Sequence, residues 1–358
     1  MPAPVAPVPG LEIPAPLALS VFLATIAIAI YAVRVHGRRQ RRHQRRRVGS
    51  LGRQFMRFVA GQLGVRDLRR IVAESNEGEF WWALERLSTR WQRKEWLRLS
   101  RALERNRWSR SERRALRDDS PWRRELAARR LALLASPDSR RALRSALVLG
   151  PESVSLACAE SLARYRDMRT LLWLIAHPAT LGHRPFSMVV DLLQSFGPRG
   201  AQVLRAALEE GIEVPVFERA AAEALGLLGD RGAVNAIERL LESDSVDARV
   251  TACRALGRLA AVEAGTSLLR ALSDDAWQVR AQAAKALGLA KVVIAVNRLG
   301  DCMTDRSWWV RRHAAYALAR LGPDGHQKLR TIVAGSPDPY ARDMALEVLE
   351  GTGPRRAA

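Results

Sequence analysis

Arg249, Arg280, Arg311 and Arg342 stand 31 residues apart. A guanidinium repeated at a fixed step can offer a row of cations to an anionic ligand, or it can pair with carboxylates inside the fold. Asp244, Asp275 and Asp305 lie just upstream of three of these arginines, so the expectation is a structural ladder of ion pairs between neighbouring segments. A second basic set, Arg239, Arg270, Arg298 and Arg330, falls on one face of the intervening segments. It is a candidate receptor for an acidic partner, and the alternative is a solvated face. Trp277 and Trp308 share the 31-residue step and read as packing staples at helix starts. Trp309 has Gln278 in its counterpart position, which makes it the better candidate for a partner contact.

Other chemistry lacks its residues. The sequence contains no G-x-x-x-x-G-K-S/T, no G-x-S-x-G, no H-E-x-x-H and no Cys or His pair at zinc spacing. Gly226, Gly229 and Gly232 follow a helical pattern, not a strand, and so form no dinucleotide loop. The three cysteines, Cys158, Cys253 and Cys302, are odd in number and lack CxxC spacing, which argues against a disulfide framework. Cys253 aligns with Ala284 and Ala315 and reads as an inert core thiol. No catalytic residue, metal site, cofactor or small-molecule substrate is expected.

The elements that must position these residues are set by a repeat. Leu256, Leu287, Leu318 and Leu349 stand seven residues after the arginines and keep their step. Leu225, Leu162 and Leu131 continue the series upstream, Gln194 is out of step, and Arg219 comes one residue late. In one unit the apolar positions are 279, 283, 286, 287 and 290, the spacing of an amphipathic helix. Asp275 precedes that helix as a cap candidate. A second helical stretch follows in each unit, as in Glu263 to Leu272, behind turn signals such as Leu228-Gly-Asp-Arg-Gly232. Each unit is therefore a helical hairpin, and since one hairpin cannot bury its apolar face, neighbours must stack. Seven or eight units are expected between residues 121 and 350.

The motif Asp-x-x-x-Val-Arg-x-x-Ala-Ala-x-Ala-Leu-Gly, seen at Asp275–Gly288 with weaker copies at Asp244–Gly257 and Asp305–Ala319, resembles the short HEAT-like repeats of phycobilin lyases. The resemblance implies an all-α, α-α superhelical solenoid, and protein–protein scaffolding as in most members of that family. It is good ground for a fold and poor ground for one activity.

Ahead of the array, Ile13 to Val33 is a run of 21 residues without charge. At roughly 1.5 Å per residue it can cross a hydrocarbon core of about 30 Å. Residues 34–53 then carry nine Arg and no acid. Basic residues beside a span stay on the cytoplasmic side. The expected organisation is an extracytoplasmic Pro-rich head at 1–12, a single transmembrane helix at 13–35 and an Arg-rich linker at 36–50. A helical Trp-rich cap follows at 51–120, then the array at 121–350 and a disordered tail at 351–358. The chain would sit in the inner membrane as a single-pass protein, with its solenoid in the cytoplasm. Arg38, Arg39, Arg41, Arg42, Arg45, Arg46 and Arg47 would rest on anionic lipid headgroups. The competing reading is a nucleic-acid arm, and the run's lack of interleaved aromatics counts against it. The net charge of +21 belongs to this end: residues 151–358 carry 26 basic against 24 acidic side chains. Within the cap, Phe80, Trp81 and Trp82 either form a separate core or, as Trp81 and Trp82 could, offer a docking surface.

The functional expectation is a membrane-tethered, non-catalytic scaffold that binds other proteins, a membrane-embedded client among them. The alternatives are a lyase-like repeat enzyme and nucleic-acid binding through the Arg-rich region.

Overall fold

The computed structural model describes residues 49–88, 93–134, 136–181 and 183–352, and every regular element among them is a helix. The head, the expected transmembrane helix at 13–35, the seven linker arginines and the tail from residue 353 lie outside the described residues. Among the described residues no helix is long and apolar enough to cross a membrane. The chain divides into two compact units. The described part of Met1–Glu112 and Leu133–Ser136 make the first; Arg113–Ala132 and the described part of Pro137–Ala358 make the second.

The first unit begins with α1 (residues 49–59), α2 (Val65–Glu74), α3 (Glu77–Ser88) and α4 (Arg93–Leu103). Helix α3 is started by a reciprocal cap. Asn76 Oδ1 accepts the Glu79 amide at 2.8 Å, and the Glu79 carboxylate accepts the Asn76 amide at 3.3 Å. Its inward face carries Phe80, Trp81 and Leu84, which pack with Phe55, Phe58, Leu68 and Leu99 in one core. Phe55 and Phe80 meet edge to face at 6.4 Å, as do Phe80 and Trp81 at 4.8 Å. The chain then runs through α5 (Arg107–Ala115) into the second unit.

That unit is a succession of hairpins, each an A helix followed by a B helix. They are α6 (Pro121–Leu131) with α7 (Pro137–Leu149), α8 (Glu152–Arg164) with α9 (Met168–Ala176), and α10 (Phe186–Ser195) with α11 (Gly197–Glu210). Next come α12 (Pro215–Leu228) with α13 (Val234–Glu238), and α14 (Val246–Arg258) with α15 (Gly265–Ala271). The last are α16 (Trp277–Leu289) with α17 (Val296–Asp301), α18 (Trp308–Arg320) with α19 (Pro323–Gly335), and a final A helix, α20 (Pro339–Thr352). Each A helix packs on the next A helix, α12 on α14, α14 on α16 and α16 on α18. The apolar positions of α16 behave as their spacing requires: Val279, Ala283, Ala286, Leu287 and Ala290 are all buried. Each buried leucine in such a row stabilises the stack by roughly 1.5–3 kcal/mol.

Two small-residue devices set the stacking. Gly226, Gly257 and Gly288 lie where a Cβ would come within 2.9, 2.9 and 2.6 Å of the Cα of Ala255, Ala286 and Ala317. Glycine there lets one A helix approach the next backbone to backbone. The A helices are then turned into the B helices by residues of positive φ: Gly229 (73°), Ala260 (48°), Lys291 (55°) and Gly322 (73°). So Gly226 and Gly229, neighbours in one turn, do different work: the first packs a helix and the second ends it.

Candidate interaction site

The repeated arginines close the gap between successive A-helix starts. Arg249 grips Asp274 with both Nε and Nη2, at 2.7 and 3.0 Å, and its Nη1 donates to the Ser243 carbonyl at 2.8 Å. One unit on, Arg280 holds Asp305 the same way at 2.7 and 2.9 Å, with Nη1 on the Asp274 carbonyl at 2.8 Å. Both pairs are largely buried, so the fork-to-carboxylate geometry sits in a low-dielectric place where it counts. Asp274 and Asp305 also accept the amides of Ala276 and Ser307 at 2.9 and 2.8 Å, which starts α16 and α18. Burial by itself raises the two carboxyls. The hydrogen bonds from Arg249 and Arg280, the two amides and the neighbouring guanidinium charges outweigh it and hold both below the usual aspartate range.

The ladder therefore runs through Asp274 and Asp305. Asp244 and Asp275 contribute backbone carbonyls only, to Arg249 at 3.2 Å and Arg280 at 2.9 Å. Asp275 is not the cap either, because the turn that starts α16 is made by Asp274. The step of 31 counted back from Asp305 lands on Asp274, and that was the signal available in the sequence. The third arginine, Arg311, keeps the carbonyl bond, to Asp305 O at 3.0 Å, but the position that would hold its carboxylate is Ser336. Arg342 is exposed.

Around this ladder the A-helix starts present large aromatics. Trp277, Trp308, Trp309 and Tyr340 are 40, 44, 50 and 68 % exposed. Trp277 lines an open groove of about 800 Å³ with Asp274, Asp275, Arg280, Asp305 and Arg306. Trp308 and Trp309 meet edge to face at 4.8 Å, and Arg312 lies 5.1 Å from the Trp308 ring. The staple reading of Trp277 and Trp308 thus accounts for only part of their surface. Trp309 faces outward, with His313 next to it at 6.5 Å between ring centroids. Burial, with Lys285, Arg312 and Arg320 nearby, keeps that imidazole below its ordinary range.

The expected basic stripe is dispersed among local tasks. Arg239 donates to the Leu208 and Glu209 carbonyls at 3.2 and 3.1 Å, at the end of α11. Arg270 bonds Ser267 at 2.9 Å, Arg298 bonds Ser273 at 2.6 Å, and Arg330 reaches Gln327 at 3.4 Å. In the first unit Trp81 is 4 % exposed and belongs to the core, so it is no docking residue, while Trp82 is 49 % exposed. A helix step of about 100° separates the two, and α3 packs with Trp81 inward. Cys253 is fully buried, and burial pushes its thiol up to about 12.

The family model described as HEAT repeats matches residues 201–288 and 265–350. No curated protein matches the chain. Among solved structures, the CpcE–CpcF phycocyanin lyase complex from a Nostoc species is 25 % identical, over 48 % of this chain and 73 % of that one, with a TM-score of 0.35. YibA of E. coli is 16 % identical over 80 % of this chain and 96 % of its own, with a TM-score of 0.38. The karyopherin Kap121p bound to the SUMO protease Ulp1p is 13 % identical over 80 % and 39 %, with a TM-score of 0.46. At these TM-scores the likenesses carry no functional weight. The period of 31, the hairpins stacked in register and the family match show that residues 201–350 are built of HEAT-like repeats.

Proposed function

We propose that the chain is a non-catalytic scaffold that holds partner proteins along the aromatic edge of its array. One observation carries the reading: large aromatics stand partly exposed at the A-helix starts of three successive units, Trp277 in step with Trp308 and Trp309 in step with Tyr340. Trp and Tyr beside Arg are the residue types in which binding energy concentrates at protein interfaces. The opposite edge, where A helices turn into B helices, exposes Leu289, Val293 and Ile294. Leucine and valine are under-represented in such hot spots, so the aromatic edge is favoured. The uncharged run Ile13–Val33 and the arginines behind it support a tethered form with the array on the cytoplasmic side.

The test is a photo-crosslinking residue placed singly at Trp277, Trp309 and Tyr340 of the full-length protein in its host, with Val293 as the comparison site. A discrete adduct of the same mass is expected in the membrane fraction from the three aromatic positions, and none from Val293. Adducts from Val293 alone, or from none of the four, would end this reading.

A further inference from the structure

Two arginines of the ladder have all three guanidinium nitrogens engaged in one pattern, and the third does not. In Arg249 and Arg280, Nη1 holds a backbone carbonyl while Nε and Nη2 hold a carboxylate. Arg311 holds the equivalent carbonyl through Nη1, yet no carboxylate pairs with it among the described residues, and its Nε is buried without an acceptor. The carboxylates in the turns that start α18 and α20, on either side of this rung, are already engaged. Asp305 is held by Arg280, and Asp338 accepts the amides of Tyr340 and Ala341 at 2.9 and 3.4 Å. The ring of Tyr340 lies 5.4 Å from the Arg311 guanidinium carbon. Such a stacked ring covers a face of the guanidinium and leaves its Nη2 edge for an in-plane acceptor.

The grooves change sign along the ladder in the same sense. At Arg249 the guanidinium is surrounded by Asp244, Asp274 and Asp275. At Arg280 the set becomes Asp274, Asp275 and Asp305, with Arg306 added. At Arg311 the corresponding positions hold Asp305, Arg306, Ser336 and Pro337, one carboxylate with one added arginine. The last groove is therefore the one fitted to receive a negative charge from outside.

We propose that Arg311 is an open rung, and that it takes the side-chain carboxylate of an acidic, extended segment of a partner protein, with Trp308 and Tyr340 flanking the segment. This rests on the aromatic-edge reading and names the chemistry of the partner. Replacing Ser336 with Asp places a carboxylate where Asp274 and Asp305 stand in the preceding rungs, so S336D competes with the partner from within the chain.

The probe is a fluorescein-labelled, amidated peptide copying Leu272–Trp277, which carries the Asp274 carboxylate, read by fluorescence anisotropy against the full-length protein. Wild type is expected to bind it about tenfold tighter or more than either S336D or R311Q, equivalent to about 1.4 kcal/mol. The peptide with Asn at both Asp positions is expected to lose the difference. S336D is expected to melt above wild type, which shows that its weaker binding is not unfolding. Undetectable binding by wild type, or binding to S336D or R311Q as tight as to wild type, overturns the proposal. If crosslinks from Trp277 and Trp309 persist in R311Q, the partner edge stands and only the rung assignment falls.

Discussion

The late part of the array, from α12 to α18, and the early part, from α6 to α10, reach the same stacked-hairpin geometry by different means. The late part reuses one solution. Gly226, Gly257 and Gly288 meet Ala255, Ala286 and Ala317, and Arg249 and Arg280 clamp the next helix start. The early part solves each contact singly. Ser161 Oγ donates to the Ala128 carbonyl at 3.0 Å and Tyr165 Oη to the Leu131 carbonyl, so that α8 is pinned to the end of α6. Arg144 pairs with a buried Asp167 at 2.7 Å, which itself starts α9 by accepting the Thr170 amide at 3.2 Å. The lesson is that the fold needs the apolar register and a closed account of helix-end donors and acceptors; it does not need the motif. The motif appears where backbone-to-backbone approach leaves room for one residue only.

The largest expected effect tests that last statement. Gly288→Ala places a methyl 2.6 Å from the Ala317 Cα, a backbone atom that can yield only if α18 moves away from α16. A cost of about 2–3 kcal/mol is expected, by the reasoning that overpacked cores force backbone shifts. Gly335→Ala, where nothing lies within 4 Å, is expected to be neutral or slightly stabilising because it removes a glycine from a helix end. Thermal unfolding followed by circular dichroism separates the two, and a G288A protein as stable as wild type would show that the late helices are not in close contact.

A smaller effect follows from the rungs and has a sign in pH. Asp274 and Asp305 titrate below the ordinary aspartate range in the folded protein. Their pairing therefore contributes its full stability above the unfolded value near 4 and loses it as pH falls through the lower folded values. Removing one partner from a buried pair is costly, and partial exposure to solvent reduces that cost here to about 1 kcal/mol each for Asp274→Asn and Asp305→Asn at pH 7. The double variant is expected to melt below wild type at pH 7, and the gap is expected to narrow as pH falls from about 4 through the lower folded values. A gap that does not narrow on acidification would mean that the ionised form of these carboxylates adds nothing to stability. The early part has Arg144–Asp167 but no repeated row of such pairs among the described residues, so acid should loosen α14 to α18 first, and amide exchange resolved by segment would show it.

Much of this was legible beforehand. The 31-residue step gave the hairpins and placed Arg249, Arg280 and Arg311 in one register, because amphipathic spacing and turn residues are local signals. Three things were not legible. Asp274 and Asp275 can each precede a helix, and only the backbone turn decides which carboxylate faces Arg249. Trp81 and Trp82 are adjacent on α3, and which one is core depends on how α3 packs against Phe55 and Leu68. The exposure of Trp277 and Trp308 hid behind their periodicity, since a repeated aromatic at a helix start reads equally as a staple and as a surface.

The smallest effect concerns the turns that both parts share. Residues of positive φ recur at Arg166, Gly197, Gly229, Ala260, Lys291 and Gly322, and the one-residue slip of the array falls between Gly197 and Gly229. At three of these places a side chain sits in the left-handed region, where Cβ crowds the neighbouring carbonyl. Glycine relieves that crowding, though it adds freedom to the unfolded chain. Lys291 is exposed, so Lys291→Gly removes little packing, and a gain of about 0.5–1 kcal/mol is expected. Ala260→Gly should gain as much, and Arg166→Gly less, because the Arg166 side chain lies against Gly197. Equal gains at Arg166 and Lys291 would mean that the arginine contributes nothing there, and the early turns would then be as interchangeable as the late ones.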